Sequence, residues 1–181
     1  MSAKALLAEA IGTFLLAAAI SAPIMLGGGG PAQSARGLAA LAAGLALIAA
    51  TRALGLFSGA HFNPAVTLGL IAAGRFASRQ LAGYVGAQLA GAFLAVGLMA
   101  LALAGAPPGR GGGLAATASA FGRRGTYSRA AALAVECAAM ALFMVVVVGV
   151  TSRRAPAGIA PLAIGFALAA LHVVALPVST A

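Results

Sequence analysis

Long apolar runs separated by short polar or glycine-rich breaks dominate the chain. Five of them, at residues 5–25, 37–56, 81–104, 130–150 and 157–178, reach about twenty residues, the length an α-helix needs to cross a hydrocarbon core of roughly 30 Å. A shorter apolar segment of a different kind lies between the second and third. Asn63 is a strong helix N-cap and Pro64 suits the first helical position. A helix is therefore expected from Asn63 through Val66, Leu68, Leu70 and Ile71, ending at Gly74-Arg75. Ten or so residues rise roughly 15 Å, about half of a bilayer core. An apolar half-helix with a polar entry loop suits a re-entrant segment that dips into the membrane and returns. Non-helical backbone at that depth is tolerated only where it is buried in protein or lines a wet cavity.

Composition supports a membrane protein. Hydrophobic residues make up 62% and charged residues 7%, with a mean hydropathy of +1.08. Those values lie outside the range of ordinary soluble domains. One domain, residues 1–181, accommodates all of the spans. Gly27–Gly30 with Pro31 and the 107–113 stretch read as loops. Neither glycine cluster is followed by Lys-Ser/Thr, so neither reads as a phosphate-cradling loop.

The net charge of +9 raises a nucleic-acid reading, but the basic residues form no basic face. With an N-terminus on the inner side, Lys4, Arg75, Arg79, Arg153 and Arg154 fall inside and Arg36, Arg110, Arg123, Arg124 and Arg129 outside. Arg52 would snorkel from the inner end of the second span. This balance leaves orientation undecided by charge alone. A signal peptide is disfavoured for the first span by its full length and by Glu9 within it. Cys137 is the single cysteine and reads as a small apolar filler. No metal-ligand set is expected.

An internal repeat is present. At a constant offset of 121, Gly37 pairs with Gly158, Gly44 with Gly165 and Ser58 with Ser179, among several alanine and leucine matches that carry less weight. The first and fourth spans correspond at an offset of 127, Ala8-Glu9-Ala10 with Phe14-Leu15 matching Val135-Glu136-Cys137 with Phe143-Met144. The first repeat is read as 1–104 and an incomplete second as 127–181. A unit of three spans repeated in one chain must be inverted, as in many transporters and channels. Glu9 and Glu136 are the only carboxylates in the chain and occupy matching places. Carboxylates within spans are costly and mark function or a polar partner. A catalytic pair is disfavoured, because no nucleophile, metal set or cofactor motif accompanies them. The structural reading is that each accepts hydrogen bonds from buried loop N–H groups; which loop each serves is left open.

Ala8-Glu9 with Gly12-Thr13-Phe14, Ser58-Gly59 with His61-Phe62-Asn63-Pro64-Ala65-Val66-Thr67, Tyr84 with Gln88 and Gly91-Ala92, Glu136, and Ala155-Pro156-Ala157-Gly158 leading to His172 and Pro177-Val178 together resemble the aquaporin (major intrinsic protein) family, its bacterial water-selective members in particular. The resemblance covers essentially the whole sequence. It implies an all-α polytopic membrane protein, an inverted repeat of three spans plus a re-entrant half-helix, with five spans and one half-helix in this sequence. The offset places the partner of Asn63 at position 184. The second Asn-Pro-Ala motif, the filter arginine after it and a sixth span are thus expected to be missing, as in a C-terminally truncated member.

The resemblance further implies a passive water channel in the inner plasma membrane, assembled as a homotetramer, with no cofactor, no catalytic residue and no nucleic-acid partner. Glycerol or another small neutral solute is the alternative, and a non-conducting remnant that inserts or associates is the competing class. By resemblance, Asn63, Pro64 and Ala65 form the pore motif, the carbonyls of Gly59, Ala60 and His61 an acceptor ladder, and Ala43 and His172 the selectivity filter. The His61 side chain reads as a packed loop residue rather than a gate. His172 matches water-selective members, whereas Ala43 replaces an aromatic ring with a methyl and implies a wider constriction.

Overall fold

The computed structural model describes residues 2–27, 32–107, 113, 127–156 and 158–179. Most of the two expected loops, Ala157 at the head of the fifth span, and Arg110, Arg123 and Arg124 of the charge count lie outside the described residues. The described chain is helical, with no strand: α1 (Ala3–Leu26), α2 (Ala32–Ser58), α3 (Pro64–Ala72), a 3-10 turn (Ser78–Gln80), α4 (Leu81–Ala104), α5 (Arg129–Val150) and α6 (Ala160–Ser179).

Helix starts follow capping chemistry more than the apolar pattern. The Ser2 hydroxyl accepts from the Ala5 N–H at 3.2 Å and the Ser128 hydroxyl from the Ala131 N–H at 3.2 Å. Each satisfies one of the free N–H groups of a first turn. α2 starts five residues before the expected 37, because good helix formers such as Ala35 and Arg36 continue the helix beyond its apolar part. Among the described residues four helices are long and apolar enough to cross a membrane. The fifth expected span is α6, 20 residues long, whose apolar segment is Ala160–Ala175. Large apolar side chains such as Leu7, Phe93, Leu101 and Val145 stand exposed on outward faces, as lipid-facing helices require.

α1 packs between α2 and α4, α2 against α6, α5 against α6, and the short α3 between α4 and α5. The pairs α1/α2 and α5/α6 are the repeat-related pairs, and they meet where α2 crosses α6. There the aligned glycines Gly44 and Gly165 touch each other. A Cβ on either would lie 2.5 Å from the other's carbonyl oxygen. Only glycine permits this backbone approach, the usual device for close helix packing in membranes. Gly91 of α4 lies against α1 in the same manner, 2.1 Å from the Ala10 carbonyl oxygen to its would-be Cβ. The apolar core gathers Leu16, Ala43, Leu47, Phe62, Val66, Phe143 and Ile164 around the loop that precedes α3.

Candidate functional site

The half-helix begins where capping rules place it. Asn63 is extended (φ −155°, ψ 131°), and its side-chain oxygen accepts from the Ala65 N–H at 2.7 Å, with Pro64 at the first helical position. Committing Oδ1 to that bond orients the amide, leaving the two Nδ2 hydrogens without a protein acceptor among the described residues. The helix macrodipole adds about half a positive charge at this end. α3 closes at Ala72, slightly short of the expected Gly74-Arg75.

The loop before it is held in an unusual conformation. Gly59, Ala60 and Phe62 have φ of 86°, 57° and 50°, and for the two non-glycines a left-handed conformation costs about 1–2 kcal/mol each. Such strain persists only where the surroundings over-determine it. Here Glu9 of α1 does so. Its carboxylate is fully buried and accepts from the His61 N–H at 3.0 Å, the Phe62 N–H at 2.7 Å and Gln88 Nε2 at 2.7 Å. Consecutive backbone N–H groups turned onto one anion make the concavity by which proteins bind negative charge. Thr13, one turn beyond Glu9, donates to the Phe62 carbonyl, and Tyr84 donates to the Ser58 carbonyl at 2.7 Å. Gln88 also donates to Thr67 Oγ1 within α3. The Phe62 ring lies on Gly12 so closely that a Cβ there would be 2.1 Å from the ring.

Peptide geometry then directs the carbonyls. In a planar trans peptide the C=O points opposite to the N–H. With the His61 and Phe62 N–H groups aimed at α1, the carbonyls of Ala60 and His61 point away from it. On that side lies a series of cavities. One of about 430 Å³ is walled by Gly59, Ala60, Val66, Leu70, Arg75, Thr151 and Arg153. It shares Ala60 and Val66 with a waist of about 40 Å³ that also touches His61 and Asn63. The waist shares Asn63, Met140, Phe143 and Leu168 with a third cavity of about 300 Å³, walled also by Glu136 and His172.

The structure therefore brings Gly59, Ala60, His61, Asn63, Glu136 and His172 onto three cavities that share lining residues. Pro64 and Ala65 form the first turn of α3. Ala43 is not brought there: it is fully buried in the apolar core and does not line these three cavities. The two glutamates differ as well. Glu9 holds the loop, whereas Glu136 makes no hydrogen bond among the described residues and faces the third cavity beside His172. Nε2 of His172 is buried without a hydrogen-bond partner among the described residues. The His61 ring packs among Phe76 and Tyr84, with centroids 4.6 and 4.9 Å away, and its Nδ1 lies 3.2 Å from Thr67 Oγ1.

Sequence reasoning assigned no role to Thr13, Thr67, Tyr84 or Gln88. A signal existed: Glu9 with Thr13 and Tyr84 with Gln88 are polar pairs four residues apart on otherwise apolar helices, so each pair shares a face.

The sequence matches the Major intrinsic protein family over residues 1–181. It is 41% identical to Aquaporin Z of Bradyrhizobium diazoefficiens over a 182-residue alignment, covering 99% of this chain and 75% of that protein. Aquaporin Z of Rhodopseudomonas palustris gives the same identity and coverage. Aquaporin Z of Brucella melitensis is 42% identical over 140 residues, 77% of this chain and 61% of its own. Among solved structures, the aquaglyceroporin from Plasmodium falciparum superposes with a TM-score of 0.80 over 94% of this chain and 71% of that one, at 21% identity, a likeness of fold. With an Asn-Pro-Ala half-helix seated on a buried glutamate and a family match along its whole length, the chain belongs to the major intrinsic protein family of membrane channels.

Proposed function

We propose that the protein is a passive water channel whose path runs through the three cavities, past Asn63 at the waist. The observation that carries this reading is the one-sided saturation of the loop. Glu9 takes the N–H groups of His61 and Phe62, so the carbonyls of Ala60 and His61 turn to the cavity side. A solute there meets carbonyl acceptors along the loop and, at Asn63, two amide donors under the positive end of α3. A neutral molecule that both donates and accepts can exchange its hydration for these groups, while a cation is repelled by the dipole. A waist of about 40 Å³ holds about one to three waters. The relatives named Aquaporin Z support water as the solute. His172 is assigned to the wall of the path. Ala43, buried behind the wall, contributes its small volume rather than a contact.

The channel domain is read as residues 1–181, with repeats 1–104 and 127–181. The inner plasma membrane and a homotetrameric assembly go with this reading. The test uses protein expressed from its complete reading frame in liposomes. Stopped-flow shrinkage should be well above that of empty vesicles, with no cation leak. Asn63→Asp keeps an N-cap acceptor but removes both amide donors and adds negative charge, so water flux should fall and cation leak appear at unchanged folded yield. Flux no greater than empty vesicles, or an Asn63→Asp variant indistinguishable from the parent, would refute the assignment.

A further inference from the structure

The end of the half-helix opposite Asn63 is built with equal care. Gly74 is left-handed (φ 68°), the Gly74 N–H donates to the Ile71 carbonyl, and the Arg75 N–H donates to the Leu70 carbonyl at 2.9 Å. This is the Schellman closure of a helix, in which the second residue past the cap bonds back to the last turn. The Arg75 backbone is thereby fixed to α3. Its side chain crosses to the other repeat. Nη1 donates to the Val148 carbonyl at 2.9 Å and to Thr151 Oγ1 at 2.9 Å, and the Thr151 hydroxyl in turn donates to the Val147 carbonyl. Val148 lies in the last turn of α5, where carbonyls lack helical partners, and a cation there also complements the helix dipole. One turn deeper, α3 meets α5 through Gly69 against the Met144 side chain, with the would-be Cβ 2.7 Å from Met144 Cε.

We propose that Arg75 is a positioning residue of the channel: it latches the outer end of the half-helix to the end of α5 and so sets the width of the cavity mouth and the seat of Asn63. The assignment rests on the water-path reading for its functional consequence, though not for the latch itself. α3 is only 9 residues long and has few neighbours of its own. Its inner end is held by the Glu9 network. Without the latch its outer end is held by apolar packing, Gly69 against Met144 and Leu70 against the core. Arg75 and Thr151 both wall the mouth cavity, so release of the bond acts directly on the path.

The experiment measures distance and flux separately. In a Cys137→Ala background, spin labels are placed through Ala72→Cys and Arg154→Cys, which avoid the latch. The parent should give one narrow distance distribution in liposomes. Arg75→Gln should broaden it or add a longer component, the docked-to-undocked ratio falling about two- to five-fold, the scale of a partly exposed charged contact. Thr151→Val, which removes one acceptor and keeps the charge, should fall between the two. Arg75→Lys keeps the charge and one reachable carbonyl and should restore most of the parent distribution. Water flux per folded protein should follow the same order at equal yield. Identical distributions for the parent and Arg75→Gln would overturn the latch. Broadened distributions with flux unchanged would overturn its role in positioning the path. Broadening by Arg75→Gln in a protein whose parent has the narrow distribution but never conducts would leave the latch standing and refute the water-channel reading.

Discussion

Glu9 carries a larger share of the site than any other residue, because its burial makes its partners obligatory. An unpaired carboxylate inside a membrane protein is costly enough that such residues are rare and specifically partnered. Here three donors, two of them adjacent backbone N–H groups, converge on it. Replacing it with glutamine keeps the shape but inverts part of the polarity. One end of the new amide must donate, and it would face a loop N–H or the Gln88 amide. Each hydrogen bond to a charged group contributes about 1.5–3 kcal/mol, and the left-handed backbone at Ala60 and Phe62 would lose what holds it. Glu9→Gln should therefore destabilise the fold by about 2–4 kcal/mol, read as a lower thermal midpoint and lower monodisperse yield in detergent. The Glu136→Gln change touches no hydrogen bond among the described residues and should be much milder. Equal losses at both positions would mean that the buried loop bonds are not what distinguishes them.

At the scale of elements, the five long helices and the half-helix were readable because both signals are local. Span length follows from apolar run length, and the α3 start follows from Asn63-Pro64. Helix ends were less legible, since Ser2 and Ser128 extend α1 and α5 beyond their apolar parts by capping. The partners of Glu9 were out of reach, because no sequence period says which of two loops a carboxylate meets across the bundle. Ala43 was placed by alignment, which gives a position along a helix, and the structure adds that it is fully buried in the apolar core. Gly44 and Gly165 stood out as aligned repeat glycines, and the structure adds that they touch. That contact makes a sharp prediction. A methyl at position 165 would lie 2.3 Å from Ile48 Cγ1 and 2.5 Å from the Gly44 carbonyl oxygen, and backbone cannot yield as a side chain can. Gly165→Ala should cost about 1–3 kcal/mol. Gly149→Ala, with nothing within 4 Å, should be neutral or stabilising by up to about 1 kcal/mol from helix propensity alone. Thermal unfolding in detergent compares the two, and equal midpoints would rule out the crossing as a tight contact.

For the whole molecule, the arrangement of cavities implies that one short stretch controls permeation. Two roomy cavities, about 430 and 300 Å³, each share lining residues with a small one of about 40 Å³ between them, the waist. Polar groups cluster on one wall of that waist, at Ala60, His61 and Asn63, and apolar side chains from α1, α2, α5 and α6 form the other. On the proposed path a solute makes its hydrogen bonds on one side while sliding past hydrocarbon on the other. Met140 is the apolar residue best placed to test this. It lines both the waist and the third cavity, and its unbranched side chain can be exchanged with less strain than a branched one. Met140→Trp should narrow the waist and lower water flux about ten-fold or more, a barrier increase of about 1.4 kcal/mol for each factor of ten. Met140→Ala removes several heavy atoms from the apolar wall and should raise glycerol uptake relative to water. Neither change touches the Glu9 network or the Gly44/Gly165 crossing, so folded yield should stay near that of the parent. Stopped-flow water and glycerol measurements on both variants at matched protein content decide the matter. Water flux unchanged by the tryptophan would place the constriction elsewhere in the molecule.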